Sequence, residues 1–250
     1  MGAQLLPLSS LPQLRLYRLG TAAALIAAPL FFLADNLLHP KEFGHGNEGD
    51  QLAAIASGYT RWQLAHSLGF VAILLFAAAT LGLAFVVRRR QPRLGLIGGA
   101  LGVAGLLGTA AVITIDGYSW AIVADAARRP EVGSEAGAAV LSELQGSGWS
   151  YLYYLTPLGF IVGVVMLAIG ALRQGAVPAW AGWLLALAAL LVGTETTIVS
   201  NAYFIAGASV FLVGATGCAL AILRMSDAEF AQGSAYSRTS SSAEAPPTST

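Results

Sequence analysis

A chain of 250 residues that is 56% hydrophobic and only 10% charged lies far from soluble composition, in which about a quarter of residues are charged. Its formal net charge of zero and mean hydropathy of +0.68 argue against a nucleic-acid partner and make the lipid bilayer its first partner. A single cysteine, Cys218, excludes a structural disulfide within the chain and any CxxC redox or zinc motif.

Taken in order, residues 1–15 read as a polar, proline-punctuated cytoplasmic lead-in. Arg15 and Arg18 precede an apolar run, as in a secretory leader. The run continues to Leu38, however, and no A-x-A-like cleavage site follows, so a retained first span is expected. The predicted fold class is all-α: a polytopic integral membrane protein with six transmembrane helices in one bundle, a domain covering about residues 16–224. The predicted spans are about 16–38, 62–87, 94–117, 149–172, 178–199 and 202–223. Pro29 predicts a kink in the first. Between the first two lies a loop whose Asp50 to Ser57 portion reads as a short surface helix. Trp62 is expected at the membrane interface. The third span is too apolar to stop at Asp116, and its pattern continues as helix out of the membrane. Residues 130–148 read as a polar connection, and 225–250 as a disordered cytoplasmic tail of Ser, Thr, Pro and Ala.

Positive charge sets the expected orientation. With both termini inside, the inner segments hold Arg15, Arg18, Arg88, Arg89, Arg90, Arg93, Arg173, Arg224 and Arg238. The outer segments hold Lys41, Arg61, Arg128 and Arg129. Nine against four predicts a multi-pass plasma-membrane protein, N-in and C-in. Glycines at 95, 98, 99 and 102 form two overlapping GxxxG pairs, which mark close helix packing within the molecule or, as the alternative, a homo-oligomer or membrane-protein partner.

The stretch Phe31 to Pro40 carries Asp35 and His39 four residues apart, so both lie on one helix face. An acid just inside the hydrophobic layer needs a partner. The topology places His66, Asp116 and Glu195 at the same outer level, with His45, Tyr153, Tyr154 and Asn201 as supporting polar groups. The reading is an outward-facing pocket of Asp35, His39, His66, Asp116 and Glu195. These residue types would suit zinc, copper or iron, or a small ligand; haem fits less well, because neither His39 nor His66 sits in the middle of a span. D-x3-H is much less specific than HExxH, which is absent. A proton-coupled transporter or sensor and an accessory subunit of a membrane complex are the alternatives. The sequence leaves open whether the chain is an enzyme, and it identifies no substrate.

Overall fold

The computed structural model describes residues 11–39, 48–146, 150–194 and 200–233, and all regular structure among them is helical. Its helices are α1 (Leu11–Leu38), α2 (Glu48–Ser57), α3 (Tyr59–Val87), α4 (Pro92–Ala127) and α5 (Gly133–Gly146). They continue as α6 (Ser150–Arg173), α7 (Ala179–Gly193), α8 (Asn201–Arg224) and α9 (Asp227–Gln232). Five stretches are long and apolar enough to cross a membrane: Pro12–Leu38, Tyr59–Val87, Pro92–Ala127, Leu155–Arg173 and Asn201–Arg224. The chain is thus an all-helical, polytopic membrane protein. The helix at the expected fifth span, α7, has 15 residues and rises about 22 Å, less than the ~30 Å hydrocarbon layer. Residues 195–199 of the expected span lie outside the described residues.

Six helices, the five long apolar ones and the shorter α7, close into a ring. α1 packs on α3, α3 on α4, α4 on α6, α6 on α7, α7 on α8, and α8 returns to α1. Phe76, Phe160 and Phe211 fill the interior, with ring centroids 4.8 to 6.1 Å apart, and Phe32 adds a fourth ring 6.0 Å from Phe76. Offset and edge contacts of this kind are favourable aromatic geometries, and they leave the middle of the bundle apolar.

Glycine sets the helix spacing. A Cβ on Gly163 would stand 2.3 Å from the Gly102 nitrogen and 2.6 Å from the Gly98 oxygen; one on Gly105 would meet the Phe160 nitrogen at 2.3 Å. The α4 stripe of Gly98, Gly102 and Gly105 therefore faces α6 backbone to backbone. Gly99 faces the Ala84 methyl of α3, and Gly95 lies against Arg88 in the turn between α3 and α4. Both GxxxG pairs are occupied within the molecule.

α4 is 36 residues long, about 54 Å, and outruns the bilayer at one end. Its last turns pack with α2 and α5 into a second apolar core of Leu52, Ile55, Trp62, Ala121, Ala124 and Leu141. We call this the cap end. Two findings there differ from the sequence expectation. Residues 133–146 form a helix, not a plain polar connection: Leu141 is fully buried against the second core, and Glu135 in the first turn complements the helix dipole. Trp62 is 1% exposed, not interfacial, because the cap covers it.

The opposite end carries Arg15, Arg18, Arg88, Arg89, Arg90, Arg93, Arg173 and Arg224. Here the expected disorder of 225–250 is corrected over its first turns, while residues 234–250 lie outside the described residues. Ser226 and Glu229 make a reciprocal capping box that starts α9, and Gly233 ends it in the left-handed conformation, φ 67°. Phe230 is fully buried and stacks on Phe85 at 5.4 Å; Arg18 binds Asp227 at 2.9 Å.

Gly163→Leu should abolish the α4–α6 contact and sharply lower the folded, monodisperse yield from detergent; an unchanged yield and melting temperature would contradict the seam. The Ser226 backbone N–H, 2.7 Å from Glu229 Oε2, followed by the Ser226 side chain, holds the Glu229 carboxyl below the usual carboxylate range. A lowered carboxyl contributes stability above its unfolded value and loses it as pH falls through its folded one. Hydrogen exchange across 225–233 should thus be slow near neutral pH and relatively faster in acid once corrected for intrinsic exchange, with Glu229→Gln removing the difference.

Candidate functional site

The polar residues expected at one level converge in part, where α1, α3 and α4 meet under the cap. His66 is the centre. Its Nδ1 lies 3.0 Å from the Trp62 carbonyl one turn back, and its Nε2 lies 3.6 Å from Asp116 Oδ2. A carbonyl only accepts, so Nδ1 carries a hydrogen. Nε2 then meets a carboxylate, and attraction requires a proton on one of the two.

The ring is held on both sides. Trp62 lies 4.1 Å away between centroids, and the α4 backbone at Gly117 lies so close that a Cβ there would meet His66 carbons at 2.7 Å. The Trp62 indole N–H donates to the Gly117 carbonyl at 2.9 Å, fixing the same junction from the other direction. Trp120 stacks on Trp62 at 5.9 Å, and His39 touches both Trp62, at 4.8 Å, and His66, at 5.0 Å. The outcome is a packed stack of rings.

Asp35 is 7% exposed and reaches α3 below His66, where a Cβ on Gly69 would stand 2.9 Å from its Oδ2. It lies within electrostatic reach of His66. Asn36 beside it returns its amide to the Phe32 carbonyl at 2.8 Å. Arg61 closes the open C-terminus of α1: its Nε donates to the Leu38 carbonyl and its Nη2 to that of His39 at 3.4 Å. Arg128 does likewise for α2 through the Ala56 carbonyl at 3.1 Å. Guanidiniums at helix C-termini satisfy orphan carbonyls and complement the dipole.

Asp35, His39, His66 and Asp116 are thus brought together. Asn201 is not part of the group: it opens α8, and its carboxamide oxygen is buried without a hydrogen-bond partner. Close by in sequence, the Thr194 hydroxyl and Tyr203 phenol lie 2.7 Å apart. His45 and Glu195 lie outside the described residues, as do the side chains of Tyr153 and Tyr154. Among the described residues, no group of three or more His, Cys, Asp or Glu side chains is arranged to hold a metal ion. The four converging residues are neighbours without forming a ligand set.

Sequence reasoning missed Gly69, Gly117 and Trp120 as members of the group. A usable signal was present. Gly69 follows His66 by three positions and Gly117 follows Asp116 directly, so each glycine opens space beside a polar residue.

Residues 16–225 match the family model described as a domain of unknown function, DUF4386. The chain belongs to the DUF4386 family. No curated protein and no solved structure matches it. The DUF4386 match runs from within the second turn of α1 to the end of α8 and contains the whole His66 group, the cap and the glycine seam.

Gly117→Ala places a methyl against the His66 ring and should destabilise the protein by about 1–3 kcal/mol, the usual range for overpacking. Thermal unfolding in detergent measures it; an unchanged midpoint would show that His66 does not press on α4.

Proposed function

We propose that this is a multi-pass plasma-membrane protein that responds to protonation at the buried group of Asp35, His66 and Asp116, with the cap outside and both termini cytoplasmic. The observation that carries the reading is the His66 contact. With Nδ1 committed to the Trp62 carbonyl, Nε2 faces Asp116 and the tie between α3 and α4 depends on a proton in that contact. Asp35 and His39 bring α1 into the same group, so a change in that proton alters how three helices are held. Histidine suits this role because its charge changes near physiological pH.

Response is favoured over conduction, because the rings of Phe76, Phe160 and Phe211 fill the centre of the helix ring. It is favoured over catalysis, because the Trp62 ring and the Gly117 backbone enclose His66 and leave it 9% exposed. The orientation is supported by charge: eight of the nine arginines assigned to the cytoplasm fall at the end opposite the cap, and Arg238 lies outside the described residues.

Thermal unfolding of wild type, His66→Gln and Asp116→Asn across about pH 5–8, where an imidazole changes charge, tests the proposal. The wild-type midpoint should vary with pH, and each substitution should flatten the profile to a similar degree. The double variant should add little, as expected for two partners in one contact. Three parallel profiles would overturn it.

A further inference from the structure

The end opposite the cap holds a second arrangement that the His66 group does not use. Arg88 and Arg89 follow the last apolar residue of α3 directly, and both guanidinium carbons lie 4.9 Å from the centroid of one ring, Phe85. The ring is itself fixed. Phe230 of α9 stacks on it at 5.4 Å and Tyr17 of α1 at 6.5 Å.

The arginine backbones are fixed as well. Gly95 of α4 lies so close to Arg88 that a Cβ would meet its Cα at 2.5 Å, and one on Gly233 would meet the Arg89 Cβ at 2.8 Å. Ion pairs among the described residues involve Arg18, His66 and Arg129, so neither Arg88 nor Arg89 has a carboxylate partner there. The nearby acids of α9 are engaged: Asp227 with Arg18, and Glu229 with Ser226. Two exposed guanidiniums therefore lie equally close to one ring where an apolar span ends.

We propose that Arg88 and Arg89, held over Phe85, bind the phosphate of an anionic phospholipid head group. Guanidinium forks match phosphate oxygens, and a ring beneath them limits the freedom that binding would otherwise remove. The level suits a lipid, because Val87 and Val86 are the last buried apolar residues of α3 and the phosphate layer begins where the hydrocarbon ends. α9 takes part through Phe230 and Gly233, so the tail's first helix shapes the site.

Native mass spectrometry of the full chain from mixed micelles tests this, with phosphatidylglycerol or phosphatidylcholine as the probe and inorganic phosphate in parallel. Wild type should retain phosphatidylglycerol over phosphatidylcholine. R88Q/R89Q should lower that retention on the order of tenfold, since each arginine near an anionic surface contributes severalfold. R90Q/R93Q, which removes the same charge from the adjoining turn and the start of α4, should leave most of it. Equal retention of the two lipids by wild type would overturn the proposal. So would an equal loss in both double variants, which would mean diffuse charge. Displacement of the lipid by inorganic phosphate would assign the site to the free ion instead. If R88Q/R89Q does not fold, Phe85→Leu keeps both charges and removes the ring: weaker selectivity supports the built site, and unchanged selectivity overturns it.

Discussion

The close approach of α4 to α6 is the constraint on which the rest depends. In lipid there is little hydrophobic drive to bring helices together, so packing must do it, and backbones approach only where side chains are absent. Gly98, Gly102 and Gly105 meeting Gly159 and Gly163 supply that absence over about two turns. With α4 held there, its 36 residues project past the bundle and carry Asp116, Gly117 and Trp120 to the level of His66. A larger residue at Gly102 would act on the seam and, through the tilt of α4, on a contact several turns away.

The His66 group follows a second constraint, that polar atoms in a dry environment must be satisfied. His66 uses one nitrogen on its own helix and the other towards the neighbouring helix. Trp62 uses its single donor on the Gly117 carbonyl. The cap then covers the group with Leu52, Ile55 and Leu141. Removing water from such a contact strengthens it electrostatically and also raises the cost of breaking it. The apolar packing of Phe76, Phe160 and Phe211 separates this contact from the other end of the bundle.

Much of this was legible in the sequence, for physical reasons. Long apolar runs mark helices because lipid permits little else, and the ends of α1, α3 and α8 fall close to the first polar residues or breakers. The convergence of Asp35, His39, His66 and Asp116 followed from counting turns. The cap was not legible: α5 has the composition of a polar connection, and only Leu141 meeting Leu52 and Trp62 across the fold makes it an ordered helix. Trp62 was misplaced for the same reason, since interfacial and buried tryptophans look alike until the covering element is known. A ligand set was the expected use of the acids and histidines, yet ring packing by Trp62 and Gly117 decides how His66 is presented, and the spacing signalled only the room that glycine leaves there.

The two ends use arginine in opposite ways, and the difference is physical. At the cap end Arg61 and Arg128 are turned onto helix carbonyls and Arg129 onto Asp125, so each is oriented by hydrogen bonds within the protein. At the other end Arg18 is paired with Asp227, whereas Arg88 and Arg89 stack on Phe85 and present their charge to the surroundings. A guanidinium on a carbonyl or carboxylate commits part of its five N–H donors there; one on an aromatic face keeps its N–H edge open. The positive charge read from the sequence is therefore presented differently at the two ends: hydrogen bonds to the protein orient Arg61, Arg128 and Arg129, whereas an aromatic ring orients Arg88 and Arg89.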